Sequence, residues 1–258
     1  NKIAKFLISS ILSSPITLQD FHAKALADYG ITDLWPEAVL KEAKTKKEYI
    51  TKENDALETF PFVTIDGEDA KDFDDAIFCE FSDDGFHLKV AIADVSFYVK
   101  EGSALDLEAV KRTTSVYMPK KVIPMLPEKL SNELCSLQPN KRRRCLCIEM
   151  DFDKDGYISS YKFHRGIIKS VARLTYTEVE NQLINGVKDS DYAESLKAAI
   201  ALFNKLIINK GYRGALDFTI SEPLVQTNSD GDIKYIEDRK RLNSHKLIEE
   251  FMLAANIS

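Results

Sequence analysis

Cysteine is scarce: Cys79, Cys135, Cys145 and Cys147 are the only four in 258 residues. That is too few for a disulfide scaffold, and the one Cys-x-Cys pair has no second pair or nearby histidine to complete a zinc site. Reduced thiols in a cytoplasmic protein are the expectation. Long apolar runs are missing too. No segment approaches the roughly 20 residues a membrane-crossing helix needs. The opening NKIAKFLISSILSSPITL has no small-residue cleavage site after its short apolar run, so neither a membrane span nor a secretory leader is expected. Nor is positive charge in excess. Against 35 Lys and Arg stand 41 Asp and Glu, a net charge of −6, which argues against a simple nucleic-acid-binding module with a basic footprint throughout. Both signs are instead clustered. NKRRR at 140–144 and DRKRLNSHK at 238–246 are basic, and seven of the 41 acids fall within residues 64–81.

The hydrophobic share of 44% over this length supports a substantial core. Residues 1–56 read as a helical lead-in from a preceding domain: two short helices between Asp20 and Ile50 part at Gly30 and restart after Trp35-Pro36. Residues 57–258 read as α+β, with a largely antiparallel sheet and packed helices. FPFVTI, AIFCEF and FHLKVAIADVSFYV are strand-like, with SDDG as a hairpin turn, and RCLCIEMDFDKDGYISSYKFHRGIIKS is a second hairpin. Helices are expected over SALDLEAVKRTT, over TYTEVENQLIN closed at Gly186, and over AESLKAAIALFNKLIINKG closed at Gly211. Three prolines, at 119, 124 and 127, make VYMPKKVIPMLPEKL an ordered irregular loop. In the last helix Leu247, Ile248, Phe251, Met252 and Ala255 share an apolar face, flanked by Glu249 and Glu250 on opposite sides. Both ends of the chain read as cut, so an excerpt of a longer protein is expected.

Two stretches look like metal loops. DFDKDG, Asp151–Gly156, matches the first half of an EF-hand, but its twelfth position is Lys162, where calcium needs a bidentate glutamate. A hairpin turn is the better reading. TIDGEDAKDFDDAIFCEF, residues 64–81, is different, because its acids have no turn role and strands enter and leave within a few residues. Two like charges 4 Å apart repel by about 1 kcal/mol in water and about 4 kcal/mol at an effective dielectric of 20. A divalent cation would reverse that sign. All-oxygen ligands without His or Cys suit Mg²⁺ or Mn²⁺, and the chemistry that follows most directly is hydrolysis at phosphorus. A solvated acidic loop is the alternative.

TIDGEDAKDFDDAI resembles the catalytic signature of the ribonuclease II and ribonuclease R family: an Asp, five residues, then Asp-x-Asp-Asp-Ala. VAIADVSFYV, TSVYMPKKVIPMLPEKLSNELCSLQP, ARLTYTEV and SHKLIEEFMLAANIS follow in the family's order, with wording closer to its ribonuclease R branch. The resemblance covers about 57–258 and implies the N-terminal part of an RNB-type catalytic domain. It also implies an Mg²⁺-dependent processive exoribonuclease that degrades single-stranded RNA from the 3′ end and releases nucleoside 5′-monophosphates. By motif position Asp66, Asp72 and Asp75 would hold the ion, with Asp74 the carboxylate most needed for chemistry. Tyr117, Tyr176 and Phe218 would contact or stack on the RNA end; such stacking is worth about 1–3 kcal/mol per base and accepts any base. Glu249 or Glu250 matches a glutamate near the site, and Glu250 is favoured. Arg239 and Arg241 are candidates for phosphate contacts. Asp94 is expected to brace the acidic loop rather than bind metal, and Phe97 stands where relatives often carry His or Tyr.

The resemblance further implies that the domain continues past AANIS, where relatives supply an arginine to the scissile phosphate and much of the channel wall. A monomer is expected, with an RNA helicase or the ribosome as further partners. Two other readings compete. One is a non-catalytic RNA-binding or scaffold protein on the same fold, disfavoured by the intact aspartates; the other is a divalent-metal sensor, which nothing outside the acidic loop supports.

Overall fold

The computed structural model describes residues 18–48, 57–215, 223–228, 233–238 and 240–258. In chain order its elements are α1 (Leu18–Asp28), α2 (Glu37–Thr45), β1 (Val63–Asp66), β2 (Asp75–Ser82), β3 (Gly85–Ala93), α3 (Val95–Tyr98) and α4 (Ala104–Arg112). There follow β4 (Val116–Met118), β5 (Lys121–Ile123), a π-helical turn (Lys129–Leu134), β6 (Arg142–Asp153), β7 (Ile158–Lys169) and β8 (Ala172–Thr175). The chain continues with α5 (Tyr176–Asn185), α6 (Ala193–Tyr212), β9 (Pro223–Thr227), β10 (Ile233–Asp238) and α7 (Asn243–Ile257). They form two units that interleave along the chain.

The larger unit takes residues 46–100, 128–217 and 241–258. Its sheet runs β7-β6-β3-β2-β1-β8, antiparallel except for β1 and β8, whose parallel register sets Asp66 opposite Thr175. Period-2 alternation sorts the side chains. Ile65, Ile77, Leu88, Val90, Ile148 and Met150 face Leu196, Leu202, Leu247 and Phe251 of the helices in one buried cluster. Cys145 and Cys147 sit two apart on β6, so both point to one face, opposite to that of Cys79 in the helix-covered cluster; all four cysteines are free and buried. Burial pushes the Cys147 thiol up to about 12, and Glu149 beside it adds to the rise. Beyond the short β1, the Cys79 N–H of β2 finds its acceptor in Ser195 Oγ of α6 at 3.0 Å.

Turn chemistry closes both long hairpins. Between β6 and β7, Asp153 Oδ1 accepts from the N–H groups of Asp155 at 3.0 Å and Tyr157 at 2.9 Å, and Gly156 takes φ +83°. The carboxylate of the EF-hand-like stretch is thus used on its own backbone. Thr175 and Glu178 form a capping box that starts α5, and Gly186 at φ +93° ends it.

The smaller unit takes residues 1–45, 101–127 and 218–240. Val39 and Ala43 of α2 and Leu105 and Ala109 of α4 are buried. Glu42 Oε2 accepts from Leu105 N–H at 3.0 Å. Arg112 lies 3.6 Å from the centre of the Trp35 ring and donates to Leu34 O at 2.7 Å. Two hairpins, β4/β5 and β9/β10, complete the unit.

Three expectations are corrected. The strand expected through Val99 stops at Ala93, because Asp94 accepts the Phe97 N–H at 3.2 Å and caps the turn α3. The proline-rich 116–130 segment is not wholly irregular: β4 and β5 pair across Pro119-Lys120, with Pro119 in the turn and Lys120 at φ +57°. Neither Pro119 nor Pro124 lies in a strand, so neither withdraws a ladder N–H. Helix α6 runs through Gly211 to Tyr212, and Gly214 supplies the positive φ, +65°, two residues after it.

Gly85 and Gly211 differ in the room they leave for a side chain. At Gly85, φ is +153° and an added Cβ would sit 2.1 Å from Phe152 O, whereas a Cβ at Gly211 would meet nothing within 4 Å. Gly85→Ala is therefore expected to lower unfolding free energy by about 2 kcal/mol or more. Gly211→Ala should leave it unchanged or raise it by about 0.5 kcal/mol; urea denaturation of the two variants checks the difference.

Candidate active site

The acidic stretch bridges two strand ends. β1 ends at Asp66 and β2 begins at Asp75, so the loop between them lies at one rim of the sheet. Its path is fixed from three sides. The Ala70 N–H closes a turn onto Gly67 O at 3.2 Å. Ser136 Oγ donates to Lys71 O at 2.8 Å and accepts from Phe73 N–H at 3.1 Å, while Leu137 N–H donates to Phe73 O at 2.8 Å. The Ala93 N–H at the end of β3 donates to Asp74 O at 2.8 Å. From β8, Arg173 Nη2 donates to Gly67 O and, at 2.7 Å, to Glu68 O, and its guanidinium lies 5.7 Å from the Phe73 ring centre. Thr177 Oγ1 holds Glu68 Oε1 at 2.6 Å. The loop has one buried anchor, Phe73, and its carboxylates are carried on either side of it.

The consequence is electrostatic. Burial, then the Asp72 and Asp74 carboxylates, push Asp66 up to about 6, and the Arg173 guanidinium pulls the other way. Burial, then Asp66 and Asp74, push Asp75 up to about 7. Asp74 is raised as well, by the protein packed around it and then by Asp72, although its side chain still touches solvent. Asp72 and Asp74 thus act on Asp66, Asp72 on Asp74, and Asp66 and Asp74 on Asp75. Asp66 Oδ2 and Asp75 Oδ2 are buried and accept no hydrogen bond among the described residues, which is an unsatisfied demand for a donor or a cation. The donor set is oxygen only, which fits a hard divalent ion. The carboxylates are gathered rather than converged: among the described residues, no three His, Cys, Asp or Glu groups are spaced to hold one ion together.

The other sequence candidates fall in several places. Tyr117 lies on β4 in the smaller unit, 69% exposed. Tyr176 opens α5 and stacks on His245 of α7 with ring centres 4.0 Å apart, and Tyr176 O accepts from Ser244 Oγ at 2.8 Å. Glu250 is only 3% exposed and pairs with Lys210 at 2.9 Å, so it lies within the apolar face of α7 rather than beside it. Glu249 pairs with Arg241 and, at 3.6 Å, with Lys210. Phe218 and Arg239 lie outside the described residues. Asp94 Oδ1 accepts from Ser96 Oγ at 2.7 Å as well as from Phe97 N–H. Contact with the acidic loop comes through the backbone of its neighbour Ala93. Phe97 packs under the Arg144 guanidinium at 4.0 Å.

Arg173 and Ser136 are the residues the sequence reading passed over. Both lie in motifs that reading quoted, ARLTYTEV and NELCSLQP, but an arginine that binds carbonyls leaves no mark of its partners in sequence.

The RNB domain family model matches residues 54–258. Among curated proteins, Ribonuclease R of Escherichia coli (strain K12) is 44% identical over 244 residues, covering 91% of this chain and 30% of that protein. Ribonuclease R of Thermotoga maritima is 43% identical over 233 residues, 86% of this chain and 32% of that one. Among solved structures, Mycoplasma genitalium RNase R in complex with double-stranded RNA aligns with a TM-score of 0.88 at 32% identity, covering 95% of this chain and 45% of that chain. The chain spans about a third of the length of these curated relatives.

The raised carboxyls make stability depend on pH in a stated direction. Folded Asp66 and Asp75 hold protons up to about 6 and about 7, whereas an unfolded Asp loses its proton near 3.9. The folded state therefore binds more protons across that window, and stability falls as pH rises from about 4 to about 7. In chelator, the melting temperature should drop over this range. Added Mg²⁺ or Mn²⁺ should restore it more at the upper end than at the lower, and a cation effect independent of pH would remove these two carboxylates from the site.

Proposed function

Because this chain belongs to the RNB domain family, we propose that it carries part of the hydrolytic centre of a 3′-to-5′ exoribonuclease. The proposed enzyme is Mg²⁺-dependent and processive, acts in the cytoplasm on single-stranded RNA, and releases nucleoside 5′-monophosphates. The observation that carries this reading is the rim loop itself: four aspartates at the family spacing, linked by the fields that raise Asp66, Asp74 and Asp75, two of them with buried oxygens that accept no hydrogen bond among the described residues. Asp66, Asp72 and Asp75 would hold the ion. An ion there supplies charge neutralisation at the scissile phosphate and a more acidic attacking water.

The remaining roles belong to the chain's own groups. Ser136, Leu137, Ala93 and Arg173 fix the loop backbone, so the carboxylates are positioned before substrate arrives and little reorganisation is needed at the reacting phosphate. Asp74, the most solvent-accessible of the four, is the carboxylate assigned to the chemical step. Tyr117 offers an exposed ring for stacking. Tyr176, preorganised against His245 at the start of α5, offers another. The Lys210–Glu250 pair supports the helix layer behind the site, a structural role that leaves the contact of Glu250 with substrate as inference from the family alone.

A second reading is an RNA binder without catalysis on the same fold, favoured by the carboxylates of the described residues, no three of which converge on one ion. One experiment separates the two. With a 3′-tailed RNA and Mg²⁺, the nuclease reading expects release of mononucleotides, and Asp74→Asn should cut that release by at least about 100-fold, the scale of one lost transition-state contact, while RNA affinity persists. RNA retained without cleavage by the unmodified chain would support the binder. Tyr117→Ala should lengthen the limit oligonucleotide or weaken hold on the 3′ end; an unchanged product ladder removes its stacking role.

A further inference from the structure

We propose that the exposed face of β6 and β7 is a stacking track for single-stranded RNA leading to the acidic loop, an inference that rests on the exoribonuclease reading above. The strand register draws a line across the sheet. Asp75 of β2 is opposite Ile92 of β3, Ile92 is opposite Leu146 of β6, and Leu146 is opposite Arg165 of β7. Residues directly opposite one another share a face, and Ile92 packs against the core cluster beneath the helices. The line therefore lies on the helix-bearing face. Three strand spacings carry it roughly 14 Å from Asp75 to Arg165.

Phe163 and Tyr161 occupy the next two positions of β7 on the same face, opposite Ile148 and Met150. Ile148 and Met150 are buried, yet Tyr161, Phe163 and Leu146 are 53%, 46% and 38% exposed. The two rings meet edge to face with centres 5.7 Å apart. Cations border them. Arg165 is oriented by Ser96 Oγ at 3.0 Å and Asp94 at 3.4 Å. Arg144, two residues before Leu146 on the same face, rides on the Phe97 ring, which also carries the Lys100 ammonium at 5.4 Å.

This chemistry fits RNA better than protein. The exposed apolar strip on β7 is one strand wide, two rings followed by Arg165 on the same face, whereas a stable protein interface covers about 800 Å² per partner with an apolar centre. Ring faces that accept any base, flanked by guanidinium and ammonium groups for phosphate, are the pairing that sequence-independent single-strand binding uses. An RNA whose 3′ end reaches Asp75 would lay its upstream nucleotides along Leu146 and Arg165 to the two rings.

The test is binding in chelator, where no hydrolysis intervenes. Fluorescent oligoadenylates, a dinucleotide and a dodecanucleotide, are titrated against this chain, Tyr161→Ala/Phe163→Ala and Tyr161→Phe. The double variant should bind the dodecamer at least about 10-fold more weakly, from the loss of two stacking faces. It should bind the dinucleotide as the unmodified chain does, and Tyr161→Phe should be indistinguishable from it. An unchanged melting temperature shows that the exposed substitutions leave the fold intact. Crosslinking of the unmodified chain to a 4-thiouridine dodecamer should mark the peptide containing Tyr161 and Phe163, a readout that does not depend on the variants folding. Failure of the unmodified chain to bind the dodecamer, equal affinities in all three proteins, or crosslinks elsewhere would overturn the proposal. Unchanged RNA binding with loss of self-association in sedimentation would overturn it in favour of a second protein copy on this face. Mononucleotide release in Mg²⁺ tests the nuclease reading separately: patch-dependent binding without release keeps the track and rejects the nuclease, and release with patch-independent binding does the reverse.

Discussion

Holding Asp66, Asp72, Asp74 and Asp75 on one short loop, where their fields raise Asp66, Asp74 and Asp75, costs free energy, and the surrounding fold is arranged to bear it. A free loop would relieve the repulsion by spreading. This one is prevented from spreading because its two ends are strand ends of one sheet and its middle is anchored by Phe73 in the core. Each remaining degree of freedom is met by a group from elsewhere: Ser136 and Leu137 at the centre, Ala93 at the exit, Arg173 at the entry. Arg173 has a double role, since its guanidinium satisfies two carbonyls and lowers the cost of ionising Asp66. Such strain in charge persists where the surroundings over-determine it, and that is the condition under which a bound cation gains most.

The parallel pairing of β1 with β8 extends this arrangement. Because Asp66 lies opposite Thr175, the acid at the end of one strand and the cap that starts α5 stand at the same sheet rim. Tyr176 follows at once, and its stack on His245 ties the start of α5 to the start of α7. Ser244 strengthens that tie by donating its hydroxyl to Tyr176 O and its N–H to Glu180 at 2.9 Å. One rim therefore collects the acidic loop and an oriented aromatic, with backbone amides satisfied by caps rather than left to solvent.

Where a property is local or periodic, the sequence carries it. The two long hairpins, with the turn at Asp153-Gly156, and the helix over TYTEVENQLIN closed at Gly186 follow from alternation, turn residues and helical periodicity. The metal-like Asp151–Gly156 stretch was legible as a turn because one wrong residue, Lys162, breaks its ligand set. What failed was the competition between signals of equal length. Val95, Phe97 and Val99 continue a strand alternation, yet one carboxylate at Asp94 captures a backbone N–H and turns the chain. Glu250 looked like a flanking charge because helical spacing fixes direction but not depth; its burial depends on Lys210, forty residues away. Arg173 lies more than a hundred residues from the carbonyls it holds, a distance no local pattern spans.

A net charge of −6 sits awkwardly with a polyanionic substrate only if the charges act as an average. They do not, because several acids are spent internally: Glu149 on Lys89, Glu250 on Lys210, Asp153 on its own turn. The acidic loop differs, since Asp66 Oδ2 and Asp75 Oδ2 accept no hydrogen bond among the described residues, and on the proposed reading a metal ion completes it. Fields from exposed charges fade within about 10 Å at moderate salt. Arg165, three strand spacings or about 14 Å from Asp75, lies beyond that length, so its local field is set apart from the carboxylates' without a basic protein around it.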